Sequence, residues 1–199
     1  MSISNMFFTH YNAFIDCVGN LACELSFLSK ATEANSMHPY MSEIKVEASE
    51  SGEGELRGLT TDGKRLHMVD PIDKSAKDFG LSPGYWHIFK KTERLIWAAR
   101  ICDEQTKDWN FFNIQRVMPS TEPEYRTEFL GFCLKYYSKR NFGDLAKFLH
   151  DFPEVTAINL EYLHDLGMNT TWKVEWYGAH KALKFSAGNR MALIMPMEF

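Results

Sequence analysis

Phe7, Tyr11, Phe14, Val18, Leu21, Leu25 and Leu28 recur at three- and four-residue spacing, the stripe of an amphipathic helix over 5–30. Gly19 weakens its middle, and the polar stretch KATEANSMHP ends it. The period then changes from 3.6 to 2. In SEIKVEA, apolar Ile44, Val46 and Ala48 alternate with charged neighbours. ELRGLTTDGKRLHMVD predicts a hairpin, with Asp62-Gly63 supplying the positive φ of a tight turn. A connection bearing Pro and Gly follows at 70–84.

Residues 85–118 read as a meander of strands. In GYWHIFKK, Trp86 and Ile88 fall on one face and Tyr85, His87 and Phe89 on the other. RLIWAARIC is apolar on both faces, as a central strand is, and NFFNIQRVM alternates again. Thr121 and Glu124 then form the Thr-x-x-Glu pattern of a capping box, with Pro123 in the first turn. A helix over 121–140 is therefore expected, with Tyr125, Phe129, Phe132, Cys133 and Tyr136 along one face. This face is expected to cover the Tyr85, His87 and Phe89 side of the meander. Two further helices are expected, from Asp144 to Asp151 and from Glu154 to Leu166, the second stopped by Gly167.

The chain closes with TWKVEWY, which alternates Trp172, Val174 and Trp176 against polar neighbours, and with a hairpin about Ala187-Gly188-Asn189. No period of 20 to 50 residues recurs, which excludes solenoids and propellers. The sum is an α+β fold: a mostly antiparallel sheet of hairpins and a meander, packed with an N-terminal helix and a central group of helices. A chain of 199 residues fits one domain spanning 1–199, and the 70–84 connection is where a sub-boundary would fall.

Composition adds a class. The chain is 45% hydrophobic and holds 15 Phe and 5 Trp, which favours a filled core over disorder. No run approaches the roughly 20 apolar residues of a membrane span, and no basic segment precedes Met6-Phe7-Phe8 as in a signal peptide. Cys17, Cys23, Cys102 and Cys133 show no paired spacing and lie in apolar surroundings. They read as reduced core residues, so the expected setting is the cytoplasm, of the producing cell or of a host cell.

Charge is uneven. The net is −4, yet residues 1–56 carry eight acids against two bases. Glu43, Glu47, Glu50, Glu53 and Glu55 are the candidate docking face for a basic protein partner. A basic counterpart lies in 84–100, where Lys90, Lys91, Arg94 and Arg100 outweigh Glu93 beside several aromatics, the pattern of a nucleic-acid surface.

Catalytic signatures are weak. FLHDFP and YLHDLG each contain Leu-His-Asp, so His150, Asp151, His164 and Asp165 are the candidate metal or catalytic residues. The simpler account is that each His sits in the last turn of a helix, where a cation suits the dipole. No zinc spacing, phosphate loop or nucleophile elbow is present, and no metal or cofactor is expected. The function expected is a small soluble intracellular interaction or regulatory protein, of inhibitor, immunity-type or adaptor role, without catalysis. The alternatives are a nucleic-acid binder using 84–100, and an enzyme whose site assembles in space from His67, His87, His150 or His164.

Overall fold

The computed structural model describes residues 10–92, 95–131, 150, 158–167, 170–178 and 180–196. The chain divides into two compact units, Met1–Phe112 and Asn113–Phe199. The 70–84 connection lies inside the first unit.

The first unit holds six strands: β1 (Tyr11–Val18), β2 (Ile44–Ala48), β3 (Leu56–Thr61), β4 (Arg65–Val69), β5 (Gly84–Lys91) and β6 (Leu95–Ile101). They form an antiparallel sheet in the order β1-β6-β5-β2-β3-β4. One helix, α1 (Gly19–Leu28), packs against β1, β3, β4 and β6. It buries Leu21, Ala22, Leu25, Phe27 and Leu28 over Ile15, Cys17, Ile96 and Ala98. A four-residue helix, α2 (Asp103–Thr106), follows β6.

The expected helix over 5–30 is thus a strand followed by a helix over its described residues. Ile15 and Cys17 point inward while Asn12, Phe14, Asp16 and Val18 are exposed, a period of 2. Large apolar residues on both faces of β1 hid that alternation and imitated a helical stripe. Gly19, at φ +66°, makes the break between strand and helix.

The C-terminal end of α1 is held from outside. Thr60 Oγ1 donates to Leu28 O at 2.7 Å, and His67 Nδ1–H donates to Phe27 O at 2.8 Å. The Arg65 guanidinium donates to Lys30 O. All three donors belong to the β3–β4 hairpin, whose turn is itself tightly bonded. Asp62 Oδ1 accepts from the backbone N–H of Lys64 and of Arg65, each at 2.9 Å, and Gly63 sits at φ +84°. Gly58 in β3 leaves room for the helix end, since a Cβ there would lie 2.4 Å from Leu28 Cδ1.

The second unit carries β7 (Tyr125–Leu130), β8 (Thr171–Trp176), β9 (Leu183–Ala187) and β10 (Arg190–Ile194), antiparallel in that order. Phe129, Trp172, Val174, Trp176 and Phe185 form its core. A short helix, α3 (Leu160–Asp165), is capped by Asn159, whose side chain accepts from Glu161 N–H at 2.9 Å. Gly131 N–H donates to Thr170 O at 2.9 Å, and a Cβ at Gly131 would lie 1.9 Å from Gly167 O, so only glycine fits that approach.

The expected helix over 121–140 is overturned where it is described. Residues 125–130 are strand, and Glu124 N–H donates to Trp176 O at 2.8 Å instead of entering a capping box. YRTEFL also reads as alternation, with Phe129 buried and Arg126, Glu128 and Leu130 exposed, and pairing with β8 decides between the two periods. The central group of helices is therefore not supported, and the expected helix over 144–151 lies outside the described residues except for His150. Over its described residues the third expected helix is α3, with Gly167 after it at φ +94°. Residues 111–118 form a loop with a single turn of 3₁₀ helix at Ile114–Arg116, not a strand. The fold is mostly antiparallel sheet with few helices, none among the described residues long and apolar enough to cross a membrane.

His67 is fully buried, and burial pushes its imidazole down from 6.5 to about 3 despite the bond to Phe27 O. A depressed folded value means that the unfolded chain binds the proton first. The contribution of His67 is full above about pH 6.5 and is lost as pH falls toward 3, by up to about 1.4 kcal/mol per pH unit. Denaturation midpoints measured from pH 7 to pH 4 should fall in the native chain and fall less in His67→Gln. Thr60→Val should cost about 1–3 kcal/mol at neutral pH, because Leu28 O loses its donor in a dry site.

Candidate functional site

The segment GYWHIFKK is strand β5, but its two faces are not those of simple alternation. Tyr85 and Trp86 are both buried. Trp86 Nε1–H donates to Ser82 O at 2.8 Å, and Tyr85 packs edge-on against Trp109 at 4.9 Å. A bulge between Ile88 and Lys90 then turns the strand outward. Phe89 is 41% exposed and His87 half-buried.

Three strands bring rings together on this outer face. Phe89 meets Tyr11 edge-on at 5.0 Å and His87 edge-on at 4.8 Å, and Phe14 lies 6.4 Å from Phe89 in a stacked orientation. Phe14 is 57% exposed and Trp97 is 43% exposed. With Ile15, Asp16, Phe89 and Ala98 these two residues line an open, mainly apolar hollow of about 400 Å³. Lys90 places its ammonium 4.6 Å from the Trp97 ring centre.

Beneath the rings lies an ion pair. Glu43, buried just ahead of β2, accepts from His87 Nδ1–H with its two oxygens at 3.1 and 3.0 Å, and the single Ser42 Oγ–H is shared between Pro39 O at 2.8 Å and Glu43 at 3.1 Å. The hydrogen bond to Glu43 raises the His87 imidazole above its ordinary value, against the opposing effect of burial and with the help of the Glu43 charge. Burial, and then the Glu43 charge, raises the Tyr11 hydroxyl.

The other glutamates of the acidic run are placed differently. Glu47 bonds Arg57 at 2.7 Å and Lys45 at 2.8 Å. Burial opposes its ionisation, but these two cations outweigh burial and hold its carboxyl below the usual range. Glu50 also pairs with Arg57, at 3.0 Å. Glu55 accepts from Ser51 Oγ at 3.0 Å. Glu53 and Glu50 are the exposed members, and Glu53 and Glu55 border a second hollow with Lys74 and Lys77.

The basic set disperses. Lys90 lies over Trp97, while Lys91 reaches Ser29 Oγ at 3.0 Å. Arg100 donates to Pro83 O at 2.8 Å and to Asp103 at 2.7 Å, and Arg94 lies outside the described residues. His164 and Asp165 end α3. His150 is exposed, and Asp151 lies outside the described residues. Among the described residues no three His, Cys, Asp or Glu gather as a metal site.

Sequence reading named His87 and Glu43 separately but missed their pairing, and it missed Tyr11, Phe14 and Trp97 as surface residues. The sequence signal for the outward face was confined to polar Asn12 and Asp16, and apolar Phe14 and Val18 on the same face obscured it.

No protein-family model matches this chain, and no curated protein matches it. Solved structures do. The DNA polymerase III beta chain of Streptococcus pneumoniae TIGR4 matches with a TM-score of 0.57 at 14% identity, over 94% of this chain and 65% of its own. The pol III beta of Caulobacter crescentus matches with a TM-score of 0.55 at 14% identity, over 100% of this chain and 68% of its own. A DNA polymerase sliding clamp from Pseudomonas aeruginosa matches with a TM-score of 0.54 at 12% identity, over 95% of this chain and 68% of its own. The chain thus spans about two thirds of the length of these proteins. The likeness is one of fold: this chain has a sliding-clamp-like architecture.

The exposed rings should contribute little to folding. Phe14→Ser and Phe89→Ser should each shift stability by no more than about 1 kcal/mol, whereas Trp86→Ala, which empties a buried site, should cost about 3–5 kcal/mol. Chemical denaturation of the three variants makes the comparison.

Proposed function

We propose that this chain is a non-catalytic interaction scaffold of the sliding-clamp type that engages a DNA polymerase. The observation that carries this reading is the match in fold to DNA polymerase sliding clamps across more than nine-tenths of the chain. The face of Phe14, Phe89 and Trp97 supplies a docking surface consistent with it. Rings exposed around a hollow offer large apolar contact area at little ordering cost. Among the roles expected from the sequence this favours the adaptor over the inhibitor or immunity-type protein, acting in the cytoplasm where replication proteins work. Such a protein works by holding a partner in place, and its residues need only complementarity to that partner.

A second reading keeps the acidic run as a docking edge for a basic segment. Exposed Glu50 and Glu53 carry it, since Glu43 and Glu47 are turned to internal partners. Binding at such an edge would be fast at low salt and screened over about 8 Å at physiological ionic strength.

The test uses the full chain on beads, presented separately with the replicative DNA polymerase of the producing cell and with primed single-stranded DNA. Retention of the polymerase, weakened about tenfold or more by Phe14→Ser with Phe89→Ser, is the expected result. Loss of retention on Glu50→Lys with Glu53→Lys instead would move the docking surface to the acidic edge. Retention of DNA alone, lost on Lys90→Glu with Lys91→Glu, would favour the nucleic-acid reading. Retention of neither would overturn the clamp-type reading.

A further inference from the structure

The ring cluster is built over an ionisable pair that joins two segments of the first unit, with Tyr11 from a third beside it. Glu43 comes from the turn ahead of β2, His87 from β5 and Tyr11 from β1. Glu43 is 7% exposed, so its carboxylate has little water to solvate it and depends on His87 Nδ1–H, since the Ser42 hydroxyl has its shorter bond to Pro39 O at 2.8 Å. His87 meets Phe89 edge-on at 4.8 Å with its plane 77° away, and meets Tyr11 at 6.2 Å. A protonated imidazole so placed is attracted by the carboxylate below and lies among these rings.

We propose that Glu43 and His87 form a proton-operated latch that holds the aromatic face of β1, β5 and β6 in its ordered arrangement when His87 is charged and releases it when His87 is neutral. A neutral imidazole keeps one N–H for Glu43 but leaves a negative charge uncompensated beneath apolar rings. The charged groups nearby do not replace it. Lys90 turns to Trp97, Lys91 to Ser29, and Arg100 to Pro83 O and Asp103. Lys45, the residue after Ile44 in β2, is engaged with Glu47 and lies 5.0 Å from the Phe111 ring centre. Opposite His87 on β6 stands Ala99, which carries no charge. The raised imidazole gives the sign: the stabilisation is full below the unfolded value of about 6.5 and is lost as pH rises through the higher folded value.

The consequence for partner capture rests on the docking role proposed for this face, but the latch itself is read on the protein alone. Proton and carbon NMR of the full chain from pH 5 to pH 9 follows the His87 ring together with the rings of Tyr11, Phe14 and Phe89. The expected result is that the phenyl and phenol resonances move with the midpoint of His87. In Glu43→Gln that midpoint should drop, because the hydrogen bond that raises it is weakened. Should Glu43→Gln fail to fold, His87→Gln gives the same answer: its rings should no longer respond between pH 6 and pH 8. Rings that stay fixed through the His87 titration, or that still move in His87→Gln, would overturn the latch. Polymerase retention at pH 6 and pH 8.5 is a separate arm. Rings that respond while no polymerase is retained at either pH would overturn the docking reading and leave the latch standing.

Discussion

The end of α1 is the constraint on which the first unit depends. A helix leaves its last carbonyls without partners, and here the helix end is packed against a sheet, where bulk water is not at hand to satisfy them. Five consecutive carbonyls receive a side-chain donor. Ser26 O accepts from Ser29 Oγ and Ser29 O from Thr32 Oγ1, both local. Phe27 O, Leu28 O and Lys30 O accept from His67, Thr60 and Arg65, which arrive from the β3–β4 hairpin. The hairpin turn is in turn fixed by Asp62. One short stretch, TTDGKRLH, therefore folds itself and sets the helix against the sheet. Because His67 must stay neutral to fill this role in a dry site, the same stretch makes the fold sensitive to acid.

This explains what was legible in the sequence. The hairpin was readable because Asp62-Gly63 carries local chemistry that no tertiary contact needs to supply, and the same holds for Ala187-Gly188-Asn189. Strands β2 and β8 were readable because one face is apolar and the other polar. Strand β1 was not, because Phe14 and Val18 face outward and fill positions that a half-buried strand leaves polar. Strand β7 failed for a different reason. Thr121, Pro123 and Glu124 do have the local signature of a helix start, and the backbone bond from Glu124 to Trp176 O removes its premise. A partner 52 residues away decided the outcome, and no window of sequence contains both.

The same distinction separates the site from the fold. Its residue types were visible, but its geometry was not. The acidic run looks like one surface in sequence, yet Glu43 turns to His87 and Glu47 to Lys45 and Arg57, so the run divides between interior and solvent. The basic run divides likewise. Charge counted along a chain overstates charge presented to a partner, because a cross-strand neighbour with the opposite sign consumes it. Apolar area behaves in the opposite way. Phe14 was read into a helical stripe by its spacing and Trp97 into a strand apolar on both faces, and their exposure is the informative departure.

That departure has an energetic reading. Phe14, Phe89 and Trp97 lie on the side of β1, β5 and β6 that α1 does not cover. Leaving them in water gains the fold nothing, and removing each ring from water would release about 25 cal/mol for every square ångström buried. A surface with this reserve is suited to being covered. The polar elements of the same face limit what can cover it. Asp16 lines the hollow and would repel phosphate, while Lys90 is already drawn onto Trp97, two features that suit the polypeptide partner proposed for this face. Beneath it lie Glu43 and His87, a contact whose strength depends on whether the imidazole carries its proton. A docking face assembled over such a pair has its affinity tied to the protonation of a residue that need not touch the partner.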